Sequence, residues 1–281
     1  MGALCMEQLC GMNLHYQHHS LEYFLDRQVE LGLKNVELWG GSPHLYIDDA
    51  SPERVHTVRN AIQSRGLNPV CYTPETVVYP INIAAEEEHI RWRSLQYLSR
   101  GIEIASELGC GRMLLTPGWG YVGREKKRSM EYSLQSIEIL TRKAERENVV
   151  LALEHLSPIS SNLINTSADL KMILERIPSP NLKAMLDTCQ VCLAGEHVRD
   201  YFEALGENLV HIHLVDGTPG GHLAFGDGEL PLQEFVETIG AWGYKGFLSM
   251  EISDRRYFEK PELADRQSVS LFRKWICLMK R

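Results

Sequence analysis

One unit of punctuation recurs along this chain and limits what it can become. An amphipathic stretch closes on a glycine, and a short apolar run begins within a few residues. Glu30-Leu31-Gly32 precedes Asn35-Val36-Glu37-Leu38-Trp39, Ser64-Arg65-Gly66 precedes Leu67 to Tyr72, and Glu107-Leu108-Gly109 precedes Arg112 to Thr116. Leu205-Gly206 and Ala241-Trp242-Gly243 introduce two further runs, at Leu209 and Gly246. A glycine just past a helix adopts the left-handed conformation that most residues resist, and so closes the helix. Asn148, which tolerates that conformation, holds the same place before Val149. The amphipathic stretches carry the helical period: Leu21, Phe24, Leu25 and Gln28-Val29 on one face, and Leu95, Leu98, Ile102 and Ala105 on another. Their starts are marked by Ser51-Pro52, an N-cap with proline at the first helical position, and by the capping-box spacing of Thr166 and Asp169.

Counting the apolar runs predicts eight strands, near 5–12, 35–39, 67–73, 112–117, 149–154, 182–187, 209–215 and 246–252, each followed by a helix-like segment, the last near 259–279. Strict alternation implies parallel strands joined by right-handed crossovers. Eight such units predict one α/β domain over residues 1–281, a closed (β/α)8 TIM barrel. No GxGxxG follows the first run, which counts against a dinucleotide-binding sheet. The loops after strands are the unusual ones: Gly40-Gly41-Ser42-Pro43-His44, Thr73-Pro74-Glu75-Thr76, Pro117-Gly118-Trp119-Gly120-Tyr121, and Asp216 to Gly228. Barrels of this kind carry their active site on that face.

Four consecutive runs end in a polar ligand type. Val149 to Leu153 runs into Glu154, Leu182 to Leu186 into Asp187, Leu209 to Ile212 into His213, and Gly246 to Met250 into Glu251. An ionised carboxylate in apolar surroundings is costly unless it is paired or metal-bound. One such residue is readily explained by a Lys or Arg partner, but the strands supply none of matching placement for all four. Three carboxylates and an imidazole converging on one mouth suit a divalent cation: Mn²⁺ first, with Co²⁺, Mg²⁺ and Zn²⁺ as the other candidates. His211 and His213 share a strand face, so either can supply the imidazole. His213 is nearer the mouth and is taken as the ligand, with His211 one layer deeper. Asp216 is a candidate for orienting His213, since metal-bound imidazoles usually donate their second nitrogen to an acceptor.

Charge and cysteine usage narrow the function classes. A net charge of −8, with no stripe of Lys and Arg, argues against a nucleic-acid surface. No run approaches the length of a membrane span, and residues 1–19 lack the charge and apolar core of a secretory signal, so a cytoplasmic protein is expected. Seven scattered cysteines suit reduced thiols. Cys189-x-x-Cys192 has no second pair at zinc spacing and is read as two packed thiols in a loop.

The strings LEHLSP, MLD, HIHLVD and SMEIS, spread over the whole chain, resemble the sugar isomerase/epimerase family of xylose-isomerase-like barrels. ELWGGSPH (Glu37 to His44) and YTPETVVYPIN (Tyr72 to Asn82) resemble its fructoselysine 3-epimerase and ketose 3-epimerase group. The resemblance implies that Glu154, Asp187, His213 and Glu251 bind one divalent metal, and that Glu154 and Glu251 also move protons at C3 of a ketose or ketosamine through a cis-enediolate. It also implies a small sugar as partner, and dimers or tetramers as in many members. Substrate-contact candidates are Gln190, His222, Tyr72, Glu75, Trp119 and His15. The chain departs from the ketose 3-epimerase pattern in three places. Gln190 replaces a His after the strand-six Asp, no Arg stands near Thr218-Pro219-Gly220, and Ser160 replaces a Glu. These departures favour a ketose carrying a substituent over a free hexulose. Competing readings are an aldose–ketose isomerase or polyol dehydratase on the same metal, an abasic-site endonuclease on the same barrel, and a non-catalytic sugar-binding barrel.

Overall fold

The computed structural model describes residues 4–76, 80–218 and 220–279. Val77, Val78 and Tyr79 of the YTPETVVYPIN string, and Pro219 of the loop without an Arg, lie outside the described residues. Eight strands close into one barrel in chain order, each parallel to both neighbours. They are β1 (Leu9–Met12), β2 (Asn35–Gly40), β3 (Asn68–Pro74), β4 (Arg112–Leu115), β5 (Val150–Glu154), β6 (Leu182–Asp187), β7 (Leu209–His213) and β8 (Phe247–Met250). The helices between them are α1 (Leu21–Glu30), α2 (Pro52–Gln63), α3 (Glu88–Leu108), α4 (Lys126–Glu147), α5 (Ser167–Arg176), α6 (Thr188–Leu193), α7 (Val198–Leu205), α8 (Leu232–Ala241) and α9 (Pro261–Leu278).

The expected punctuation is present atom by atom. Gly32, Gly66, Gly109, Gly206 and Gly243 all have positive φ, as does Asn148 at 55°. Ser51 and Thr166 cap α2 and α5 through their hydroxyl oxygens, which accept from Arg54 N and Asp169 N. One element differs from the sequence reading. The Cys189-x-x-Cys192 stretch is the short helix α6, not a loop, because Asp187 Oδ1 accepts from Gln190 N at 2.8 Å and caps it. Both thiols are free, and Cys189 Sγ lies 3.3 Å from Asp216 O and 3.4 Å from Gly221 O.

Two apolar layers follow from strand alternation. Outward residues such as Val36, Leu38, Tyr72, Leu153 and Ile212 pack under the helices in one large core. A small second cluster of Cys10, Val70, Cys71, Leu114, Ala152 and Met185 fills the barrel interior. Above it the interior turns polar, and that change of character sets where a ligand can sit. Among the described residues no helix is long and apolar enough to cross a membrane.

Candidate active site and metal centre

Each polar strand end keeps the inward parity of its strand, so the four point to one place. Glu154, Asp187, His213 and Glu251 offer ligand atoms that all lie within 4.8 Å of one another. His213 Nδ1 is 3.0 Å from Glu251 Oε2 and 4.0 Å from Glu154 Oε1. His222 approaches from the loop after β7, its Nδ1 3.0 Å from Glu251 Oε2 and its Nε2 3.9 Å from Asp187 Oδ2. The cavity beside them, about 210 Å³, is also walled by Trp39, Glu75, Leu156, Ser160, Gln190 and Ser253.

This donor set fits a divalent cation. Asp187 Oδ2 is buried without a hydrogen-bond partner, a costly state that a cation beside it would relieve. The protonation balance points the same way. Burial, and then Glu251, push the Glu154 carboxyl well above its ordinary range, and Asp187 is raised by its burial. Burial would raise Glu251 too, but His213 and His222 outweigh it and hold that carboxyl low. Burial would lower both imidazoles, yet Glu251 with Glu37 pushes His213 well up, and Asp187 with Glu251 pushes His222 up to about 9.

A family model for the xylose isomerase-like TIM barrel matches residues 25–275. The chain belongs to the xylose isomerase-like TIM barrel family. Within the family, a fructoselysine 3-epimerase of Shigella flexneri is 32% identical over 277 residues, covering 94% of this chain and 95% of the relative. A probable endonuclease 4 of Persephonella marina is 23% identical over 88% of this chain and 89% of its own length. The crystal structure of a D-psicose 3-epimerase in the presence of D-fructose superposes with a TM-score of 0.79, at 17% identity, over 96% of this chain and 99% of that one.

The family barrel separates the remaining candidate residues. Gln190, His222 and Glu75 line the cavity. Gln190 Oε1 accepts from Ser157 N at 2.7 Å, and Glu75 Oε2 accepts from Trp39 Nε1 at 2.9 Å. Trp119 stands outside it, in an adjoining groove with Ile159 and Asn162 that shares only Ser160 with the cavity wall. Two candidates are corrected. Tyr72 is one residue out of phase with the inward Cys71 and Thr73, so it points into the helix layer and donates to Leu45 O at 2.9 Å. Gly40 leaves room for it, since a Cβ there would sit 2.3 Å from the phenol oxygen. His15 is fully buried against α9, with Nε2 3.0 Å from Asp265 Oδ1, and does not reach the cavity. Asn162 and Asn165 are structural: Asn162 Oδ1 accepts from Gly120 N, and Asn165 Nδ2 donates to Leu156 O and Ser161 O.

The Tyr72 correction is testable. Tyr72→Phe is expected to lose about 1–2 kcal/mol of stability by stranding a buried carbonyl, while KM for the substrate stays unchanged. Urea unfolding beside steady-state kinetics checks both halves.

Asp216 does not reach His213 either. Its carboxylate accepts from Gly217 N, Gly226 N and Leu230 N at 2.8, 2.8 and 3.1 Å, which ties down the loop that carries His222. The residue on His213 is Glu37 of β2, which sequence reasoning missed. Glu37 Oε1 lies 3.0 Å from His213 Nε2 and its Oε2 lies 2.5 Å from His211 Nε2. Burial would raise this carboxyl, but His213 and His211 hold it well below the usual range. A signal was available: Glu37 is a charge in the middle of a largely apolar strand, in phase with Trp39.

Proposed function

We propose that this chain is a divalent-metal-dependent sugar epimerase that inverts C3 of a ketose or ketosamine. The observation that carries the reading is the meeting of Glu154, Asp187, His213 and Glu251 beside a sugar-sized cavity, with Asp187 Oδ2 buried and unpartnered. The full-length relationship to a fructoselysine 3-epimerase supports it. The four residues would hold the cation, with Mn²⁺ as first candidate for an oxygen-rich set. When bound, the cation supplies Lewis acidity that stabilises the charge developing on the substrate ketone oxygen.

The protein's own groups move the proton. Glu251 takes the C3 hydrogen from one face. Glu154, the second carboxyl of the site, returns one to the opposite face. Two carboxyls flanking one bound sugar divide the acid and base roles. Each turnover leaves the two protonation states exchanged, and equilibration with water resets them. The reverse reaction uses the same pair with roles swapped.

The substrate side of the reading follows from the wall. Glu75 contributes a carboxylate that has no cationic partner among the described residues, and Trp39 fixes it. That favours a substrate with a protonated amine next to the sugar, as in a fructoselysine-like ketosamine. Gln190, His222 and Ser160 line the sugar end.

The test is incubation of the Mn²⁺-loaded protein in D₂O with fructoselysine and with free ketoses, followed by NMR. Deuterium at C3 together with the inverted epimer is expected, fastest for the ketosamine. Deuterium at C1 or C2 with an aldose product would replace epimerisation by isomerisation. No exchange with any sugar would overturn the reading.

A further inference from the structure

We propose that Glu37 is a positioning residue that fixes both core histidines as Nε2–H tautomers and so aims the bare Nδ1 of His213 at the metal site. The inference rests on the metal-site reading above and extends it one layer into the barrel.

The geometry is a carboxylate shared by two imidazoles. Glu37 is fully buried, as are His211 and His213. Its two oxygens divide the work: Oε1 faces His213 Nε2 at 3.0 Å and Oε2 faces His211 Nε2 at 2.5 Å. Thr73 Oγ1 donates to Oε1 as well, and Ser249 Oγ lies 3.3 Å from His211 Nε2. An ionised carboxylate only accepts, so each imidazole must present an N–H to it. A neutral imidazole with its proton on Nε2 has its lone pair on Nδ1. For His213 that atom faces the site, 3.0 Å from Glu251 Oε2 and 4.0 Å from Glu154 Oε1, and a cation bound among them would take that lone pair in place of a proton. The other tautomer would put a proton where the cation must bind and leave a lone pair facing a carboxylate.

The placement has a structural cause. The register between β2 and β3 shifts between Val36 and Glu37, and that between β6 and β7 shifts between Ala184 and Met185. Glu37, His211 and His213 all point inward by strand alternation, and Glu37 reaches both imidazoles across the interior. His211 is the second arm of the clamp: it holds Oε2, which keeps Oε1 on His213. Carboxylate support of a ligating histidine commonly contributes 10- to 100-fold to metal affinity.

The decisive variant is Glu37→Gln. An amide of the same size has one acceptor oxygen and an N–H₂ group, so it can accept from only one of the two imidazoles. Binding of Mn²⁺ and of Zn²⁺ is measured by competition with a chelating indicator, for the wild type, for Glu37→Gln and for Asp187→Asn. The expected result is a loss of about 10- to 100-fold in affinity for Glu37→Gln, with an unchanged circular dichroism spectrum. Equal affinity in wild type and Glu37→Gln would overturn the role of Glu37 alone. A wild type that binds no more tightly than Asp187→Asn would overturn the metal reading, and this inference with it.

Should Glu37→Gln fail to fold, the wild type still decides. Nitrogen-15 NMR of the Zn²⁺-loaded protein is expected to show two slowly exchanging imidazole N–H groups, both at Nε2, from His211 and His213. A proton on Nδ1 of either ring would refute the shared clamp, a signature that a merely space-filling Glu37 would not produce.

Discussion

Glu251→Gln is expected to leave the barrel intact and to slow exchange of the substrate C3 hydrogen with solvent by a factor on the order of 10²–10⁴, the usual contribution of a positioned acid or base. The amide matches the carboxylate in volume, and its side-chain oxygen can still accept from His222, whose Nδ1 lies 3.0 Å from Oε2 in the native protein. What it cannot do is take a proton. Proton NMR in D₂O reads the exchange, and near-ultraviolet circular dichroism reads the fold. Exchange within threefold of the native rate would remove Glu251 from the chemistry. Glu154→Gln sharpens the division of labour. Epimer interconversion should fall by a similar factor, while hydrogen wash-out survives from the one epimer whose C3 hydrogen faces Glu251.

Removing the divalent ion is expected to have the second large effect, on stability as well as turnover. At a metal concentration of 100 times Kd, mass action contributes about 2.7 kcal/mol, which for a chain of this size corresponds to about 5 °C in Tm. Thermal denaturation with EDTA and with Mn²⁺ measures it, and superimposable curves would refute a resident cation. The effect should depend on pH in a defined sense. In the metal-free protein Glu154, Asp187, His213 and His222 all have folded-state pKa values above their ordinary ones, that of His222 at about 9. Groups raised in the folded state contribute stability at low pH and lose it as pH climbs through the folded value. Glu251 runs the other way, but its contribution is already complete above the ordinary carboxylate range. The two histidines should therefore weaken the metal-free protein between about pH 6.5 and about pH 9, beyond the loss that the raised carboxyls begin near about pH 4. The gap between the two curves should widen over the same interval.

The barrel was legible because its signals are local. A positive-φ glycine or asparagine closes a helix whatever it packs against, and an apolar run between two such caps has little alternative to a buried parallel strand. The four polar strand ends were legible for a related reason, since a carboxylate ending a buried run demands a partner. Residues whose role depends on side-chain phase were harder. Tyr72 sits in the right strand near the right end, but one step of alternation turns it away from the cavity. His15 follows β1 closely, yet Asp265, distant in sequence, claims its ring. Asp216 follows His213 by three residues, but loop amides saturate it before it can reach the imidazole. Glu37 is the converse case. Its partners lie 174 and 176 residues away, and only closure of the barrel brings them together.

The buried Glu37–His211 pair also sets robustness against turnover. Desolvating a charge and a ring inside a barrel is expensive, and apolar replacements of similar volume are often neutral or stabilising in such places. Selection for a sturdier barrel would therefore push toward a leucine and a phenylalanine at these positions, continuous with the apolar plug beneath. Each step in that direction would leave His213 free to rotate or to shift its proton. If His213 holds a cation as proposed, the polar column is where this chain would give up stability to keep that ligand aligned.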